Sequence, residues 1–361
     1  MKPVVVISRL AAMAFLLLQA APPLAAQGAL PPSSTWELSL NGSYMMTNNS
    51  RYSSNNSVAY GIEAAWLHRS FADDYWRVRR RHPSFGIRAS YARIPDNIAG
   101  DRYGLVGLLR RPLSDRFHYT IGFGLSAYTK PFSLTGDTNN IFIGSLVNCL
   151  IDLSVSYTPT DRLAFNLSLL HTSNGMLYRP NQGLNYLQLG ATYTFGRQVR
   201  PPLMSFDTSQ STPHFQRVEP GIALSLGTVM SRHFDVEGYF PCYDLSLNYM
   251  YFLSPVFSIG GTLDFWYNWV DHQPIVDKQM LHTFPVYVSA MFAFESFFGP
   301  LSIKAGIGPA LIVSSEVTIP FYERVGLYYS FHPCHYVGVA LNAHAGRVEF
   351  IEWTYGFRLR E

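Results

Sequence analysis

The sequence predicts an all-β, antiparallel transmembrane β-barrel protein, and three observations carry that expectation. The chain opens like an exported protein. Past that opening, apolar and polar residues alternate in segments about as long as a tilted membrane strand. The breaks between those segments alternate between short and long.

The export segment comes first. Lys2 and Arg9 precede an apolar run from Leu10 to Leu18, and small residues follow at Ala25 and Ala26. A basic start, a short apolar stretch and a small-residue end make residues 1–26 a secretory signal, with cleavage expected after Ala26. The run is too short to cross a bilayer as a helix, which takes ~20 apolar residues, and no later run is apolar enough to do so. Composition agrees with a barrel. Only 14 % of residues are charged, against roughly 25 % in an ordinary soluble chain, while aromatics reach 15 %. Few charges and many rings suit a lipid-facing band bordered by aromatic girdles. The net charge of +3 is too small and too scattered to argue for a nucleic-acid partner. Three cysteines, Cys149, Cys242 and Cys334, lack metal-ligand spacing and make neither a disulfide framework nor a zinc site.

Alternation then runs through the chain after Ser34. In Phe117–Tyr128, Phe117, Tyr119, Ile121, Phe123 and Leu125 share one face, and His118, Thr120, Gly122, Gly124 and Ser126 the other. In Val147–Tyr157, Val147, Cys149, Ile151, Leu153 and Val155 oppose Asn148, Asp152, Ser154 and Ser156. Tight turns fall at Pro112–Asp115, Pro159–Asp161, Ser254–Pro255, Gly299–Pro300 and His332–Pro333. Longer stretches intervene, such as Thr47–Ser57, Lys130–Asn140, Asn174–Asn185 and Asp271–Thr283, giving the short inner turns and long outer loops of an outer-membrane barrel. The Arg77–Arg81 basic run reads as a solvated inner loop, with a lipid-phosphate patch as the alternative.

About eight strands precede Phe195 and about eight follow Pro220. Residues 34–196 are therefore expected to form one eight-stranded barrel, 197–219 a Pro-rich linker, and 220–361 a second barrel. One sixteen-stranded barrel is the alternative. Small inward residues, Gly122, Gly124 and Ser126 in one half and Ser302, Gly306 and Gly308 in the other, favour two narrow, side-chain-filled barrels. The halves also echo one another. Ser154–Pro159 followed by Leu163–His171 resembles Leu327–Pro333 followed by Val337–His344, and Asn185–Phe195 resembles Glu349–Leu359, as an old duplication would leave them.

One segment breaks the alternation in a chemically pointed way. His171 and Ser173 lie two apart, so their side chains leave the same face of a strand, and that face is set by Phe165, Leu167 and Leu169. Asn185 opens the next strand in parity with Leu187 and Leu189. A nucleophile, a base and an orienting group thus share a face that should be wholly apolar. Serine needs a hydrogen-bonded base to become a nucleophile, and histidine needs a third group to hold its tautomer, which asparagine can supply. The plain alternative is that all three sit in the polar headgroup rim. A backbone amide near Asn174–Gly175 is placed to meet an oxyanion, and Arg179 in the same loop to meet a lipid phosphate. In the second half His344 has Gly346 where the first has serine, and its parity with Asn342 points it inward. Glu349 and Glu352 read as rim or lumen residues.

At these residues the chain resembles the lipid A 3-O-deacylases of the PagL type, also called acyloxyacyl hydrolases. That family carries His-x-Ser-Asn, a short loop and Pro-Asn-x-Gly-x-Glu, where this chain has His171-Thr-Ser173-Asn174 and Pro180-Asn181-Gln-Gly183-Leu-Asn185. The resemblance covers Ser34–Phe195. It implies His171 as base, Ser173 as nucleophile, Asn181 as an oxyanion contributor, and lipid A of lipopolysaccharide in the outer leaflet of a Gram-negative outer membrane as substrate. The departure is Asn185, where the family has Glu. The motif is also similar to outer-membrane phospholipase A, which has His-x-Ser-Asn-Gly with Asn as third member. That likeness would bring calcium; otherwise no cofactor is expected. A non-catalytic structural barrel is the remaining alternative, and the serine missing from the second half, read as a degenerate copy, keeps it open.

Overall fold

The structure is a computed structural model that describes residues 32–359 apart from 47–57, 73, 95–98, 134–139, 176, 197–214, 231–237, 270–285, 313–320 and 345–346. The expected signal segment, most of the linker and the side chain of His344 lie outside the described residues.

Sixteen strands and one short helix follow in order. The first eight are β1 (Ser33–Met46), β2 (Val58–Arg69), β3 (Ser84–Arg93), β4 (Arg102–Pro112), β5 (Phe117–Tyr128), β6 (Val147–Tyr157), β7 (Leu163–Ser173) and β8 (Leu184–Phe195), with the helix α1 (Tyr75–Arg79) between β2 and β3. The second eight are β9 (Val218–Met230), β10 (Tyr239–Ser254), β11 (Phe257–Asn268), β12 (Val286–Phe298), β13 (Leu301–Ile312), β14 (Phe321–His332), β15 (His335–His344) and β16 (Arg347–Arg358). Each set closes on itself as an antiparallel barrel, β1 pairing with β8 and β9 with β16. Two narrow barrels form, and the single wide barrel is excluded.

The registers fix the barrel geometry. Following partners from Trp36 through Trp66, Ile87, Gly107, Phe123, Ile151, His171 and Asn185 returns to β1 at Met46, a stagger of 10 residues (46 − 36). The circuit from Val218 through Tyr251, Ile259, Phe294, Ala305, Val325, Leu341 and Ile351 returns to β9 at Thr228, again 10 residues (228 − 218). Eight strands with that stagger tilt by about 40°. The echoing segments occupy equivalent places: Ser154–Pro159 and Leu327–Pro333 end the sixth strand of their barrels, and Asn185–Phe195 and Glu349–Leu359 make the eighth.

Alternation sorts the side chains as the pleat requires. Leu40, Leu105, Leu153, Leu167, Leu224, Phe292 and Val325 point outward and remain exposed. Water would not tolerate so continuous an apolar belt, whereas lipid chains do. Inward, each barrel is filled rather than open, and the filling is more charged than the small residues of β5 and β13 suggested. In the first barrel Arg88 pairs with Asp152 and, at 3.3 Å, with Glu63, while Arg110 grips Glu37 through two bonds of 2.5 and 2.8 Å. Gly122 serves that network: a Cβ there would lie 3.1 Å from the Cβ of Asp152. In the second barrel Arg324 holds Asp244 at 2.9 Å, Asp264 at 3.1 Å and Glu352, and Arg358 holds Glu219 and Glu295 at 3.1 and 3.0 Å. Such pairs satisfy one another in a closed lumen, where an unpaired charge would be costly. Glu352 is thus a lumen residue, one of the two places the sequence left open for it.

The basic run departs from the expected solvated loop. Arg80 follows α1 and is buried at the end of the second barrel. Its guanidinium donates to the carbonyl of Phe297 at 3.2 Å, to the carbonyl of Val256 and to Ser296 Oγ at 2.7 Å, and lies over the Phe298 ring. Trp76 packs on Gly299. The β2–β3 turn therefore docks the first barrel against the second.

Candidate active site

The site is built where β7 and β8 reach the end of the first barrel opposite α1. His171 and Asn185 are directly paired across these strands, so the register alone brings their side chains side by side on the outer face. His171 Nδ1 meets Asn185 Oδ1 at 2.7 Å, and its Nε2 meets Ser173 Oγ at 3.1 Å. The imidazole bridges the two other groups with both nitrogens. An amide oxygen only accepts, so Nδ1 carries the proton and Nε2 offers its lone pair to the serine hydroxyl. Ser173 is 3 % exposed although its strand face points outward, whereas Leu169 on the same face is 48 % exposed. The hydroxyl sits in a sheltered notch above an open apolar wall.

The loop after β7 shapes that notch. Asn174 turns away from the reacting groups. Its side-chain nitrogen donates to the Tyr178 carbonyl at 2.8 Å and to Ser145 Oγ at 3.0 Å, and its backbone N–H donates to Asn181 Oδ1 at 3.0 Å. The Asn174 amide is thus engaged, which takes it out of the expected oxyanion set. It acts instead as the brace of the loop, tying Ser173's neighbour to Ser145, Tyr178 and Asn181. Gly175 adopts φ +62°, a left-handed conformation in which L side chains are strained. Arg179 precedes Pro180 through a cis peptide bond and is half-buried, its carbonyl against Gly144.

Two supporting features were not anticipated. Gly183 sits at φ +70°, and a Cβ there would lie 3.0 Å from His171 Cε1. Glycine is needed both for the turn and for room behind the imidazole; the Pro-Asn-x-Gly spacing carried that signal. The second is the β5–β6 loop. Asn140 Oδ1 accepts the N–H groups of Phe142 and Ile143 at 3.1 and 3.0 Å, and the Phe142 carbonyl accepts the N–H of Gly183 at 3.1 Å. One loop thus props the other, a link between distant segments that no local pattern announces. Among the described residues no group of three His, Cys, Asp or Glu side chains is placed to hold a metal ion.

Fold and site together define a membrane barrel with a Ser–His–Asn arrangement on its lipid-facing wall. Residues 60–194 match the family model of lipid A 3-O-deacylase (PagL), and residues 218–361 match that of the acyloxyacyl hydrolase C-terminal domain. The chain belongs to the PagL family, its first half matching the deacylase model and its second the C-terminal-domain model. Among solved structures, the crystal structure of the outer membrane enzyme PagL is similar at 15 % identity, covering 44 % of this chain and 98 % of that one, with a TM-score of 0.33. The outer membrane protein Ail of Yersinia pestis gives 12 % identity, 45 % and 100 % coverage and a TM-score of 0.28. A triple mutant of Rhodopseudomonas blastica porin gives 9 % identity, 91 % and 100 % coverage and a TM-score of 0.22. No curated protein matches.

Proposed function

We propose that this protein is an outer-membrane serine esterase that removes an ester-linked acyl chain from lipid A. The observation that carries the reading is the His171 imidazole held between Asn185 and Ser173 on the lipid-facing wall. His171 Nε2 takes the Ser173 proton as Oγ attacks the acyl carbonyl. The tetrahedral oxyanion is met by the Gly175 N–H and the Asn181 side-chain nitrogen. As it collapses, His171 returns the proton to the departing sugar hydroxyl, leaving an acyl-serine. Water then attacks with His171 again as base, releasing the fatty acid and restoring Ser173.

Location follows from strand parity. With the N-terminus delivered from the inner side, β7 runs outward, and the 174–183 loop lies at the outer leaflet. Arg179 in that loop is suited to a lipid A phosphate. An outward site also spares the acyl chain from leaving the bilayer, which would expose CH₂ groups at ~0.8 kcal/mol each. The neutral third member favours one second reading, a phospholipase A-like hydrolase. Mass spectrometry of lipid A and phospholipids, from membranes with the wild-type chain or Ser173→Ala, tests both. Loss of one acyl chain from lipid A, abolished by the variant, is the expected result. Loss from phospholipid alone would favour the second reading, and no change in either would leave a structural barrel.

A further inference from the structure

A second surface stands at the proposed site. Gly175, beside Ser173, is in contact with Ile351 of the second barrel: a Cβ on Gly175 would fall 2.3 Å from Ile351 Cγ1 and 2.5 Å from Cδ1. The two barrels therefore touch at two levels, through Ile351 at the catalytic end and through Arg80 and Trp76 at the opposite end. Strand tilt reconciles these contacts. A twelve-residue strand tilted by about 40° travels roughly halfway round an eight-stranded barrel. The top of β7 thus stands above the foot of β3, and the top of β16 above the foot of β12. One continuous side of each barrel faces the other.

Shielding traces the same seam. Outward residues near the triad, Cys149, Ile151 and His171, are half-buried, whereas Leu153, Leu167 and Leu169 further down the wall are exposed. On the second barrel the outward residues Val339, Leu341 and Ile351 are half-buried, whereas Trp353, next on the Ile351 face, is 64 % exposed. The barrels meet beside Ser173 through Gly175 and Ile351, and beneath it the outward apolar side chains of Leu169 and Leu187 stay exposed.

We propose that a slot between the barrels beneath Ser173 is the acyl-chain site and that Ile351, contributed by the second barrel, is a specificity-determining residue of the esterase. The inference rests on the acyl-hydrolase reading above. The ester carbonyl sits at Ser173, the hydrocarbon chain descends between the barrels, and Ile351 packs on the oxyanion loop and sets the width of the slot's entrance. The second barrel has no serine at the position matching Ser173 because it serves as the wall of the first barrel's site.

The test is hydrolysis of synthetic esters of graded acyl length by the purified full chain in detergent micelles, with Ser173→Ala as the zero. Ile351→Trp narrows the entrance and should lower long-chain turnover relative to short-chain by roughly tenfold, the scale on which a hydrophobic site discriminates. Leu105→Trp, outward on β4 and away from the seam, should leave the wild-type profile unchanged. Heat-dependent gel mobility shows that each variant is folded. If wild-type hydrolysis depends on Ser173 but its chain-length profile ignores Ile351→Trp, the seam is wrong and the esterase stands. If no Ser173-dependent hydrolysis occurs at any length, the esterase reading falls, and the acyl site with it.

Discussion

Replacing Asn185 by glutamate probes the weakest point of the triad. In the proposed reaction His171 becomes an imidazolium when Ser173 gives up its proton, and Asn185 faces it at 2.7 Å with only an amide dipole. A carboxylate there would place unit charges about 4 Å apart, worth about 1 kcal/mol in water and about 4 kcal/mol at an effective dielectric of 20. Asn185 is exposed at the strand end, so the lower part of that range applies, about 1–2 kcal/mol of transition-state stabilisation. Each 1.36 kcal/mol is about tenfold in rate, so Asn185→Glu should raise kcat/KM on lipid A by roughly five- to thirtyfold. Asn185→Ala, which frees the imidazole to take either tautomer, should lower it. The assay is initial acyl release from purified lipid A in mixed micelles at neutral pH. A fall in activity for Asn185→Glu would refute the reasoning and mark the amide as the working partner, as in the phospholipase-like reading.

Other variants test separate parts of the account. Gly175→Ala should cost about 1–3 kcal/mol through its left-handed backbone and press a Cβ into Ile351, so acyl release should fall sharply while the barrel persists on heat-modifiable gels. Arg324→Met strands Asp244, Asp264 and Glu352 together in the second lumen; breaking a buried ion network costs about 3–5 kcal/mol, read as a lower temperature for the gel-mobility shift. His82, in the α1 turn, faces Arg69, Ser70, Asp74 and Arg77, and burial pushes its imidazole pKa below the usual value. Above about pH 6.5 it is neutral folded or unfolded and contributes no pH dependence. As pH falls below that, the opened turn takes the proton first, so limited proteolysis between β2 and β3 should rise on acidification, and His82→Phe should flatten the response.

Much of this architecture was legible because alternation and turn length are local. The parity of His171, Ser173 and Asn185 located the triad, since side chains two apart on a strand, and those paired across it, must share a face. The lumen was less legible. Gly122 and Ser302 looked like evidence for small contents, but Gly122 makes room beside Asp152, and Ser302 donates to Glu295 at 2.5 Å. Small residues next to large ionic ones give no pattern along a single strand. Arg80 read as one of four basic loop residues, because its acceptors lie at Val256, Ser296 and Phe297, far away in sequence. The Asn174 brace was hidden for a related reason. Its partners at Ser145, Tyr178 and Asn181 meet only once two loops have folded over the end of the barrel.

The central claim is that Ser173 is a nucleophile activated by His171, and an alkyl fluorophosphonate tests it directly by phosphonylating an activated serine and releasing fluoride. After treatment of the folded protein, peptide mass spectrometry should find the adduct on Ser173 in the wild type and lose it in His171→Ala. An adduct on another residue, no adduct, or undiminished labelling of His171→Ala would contradict the account.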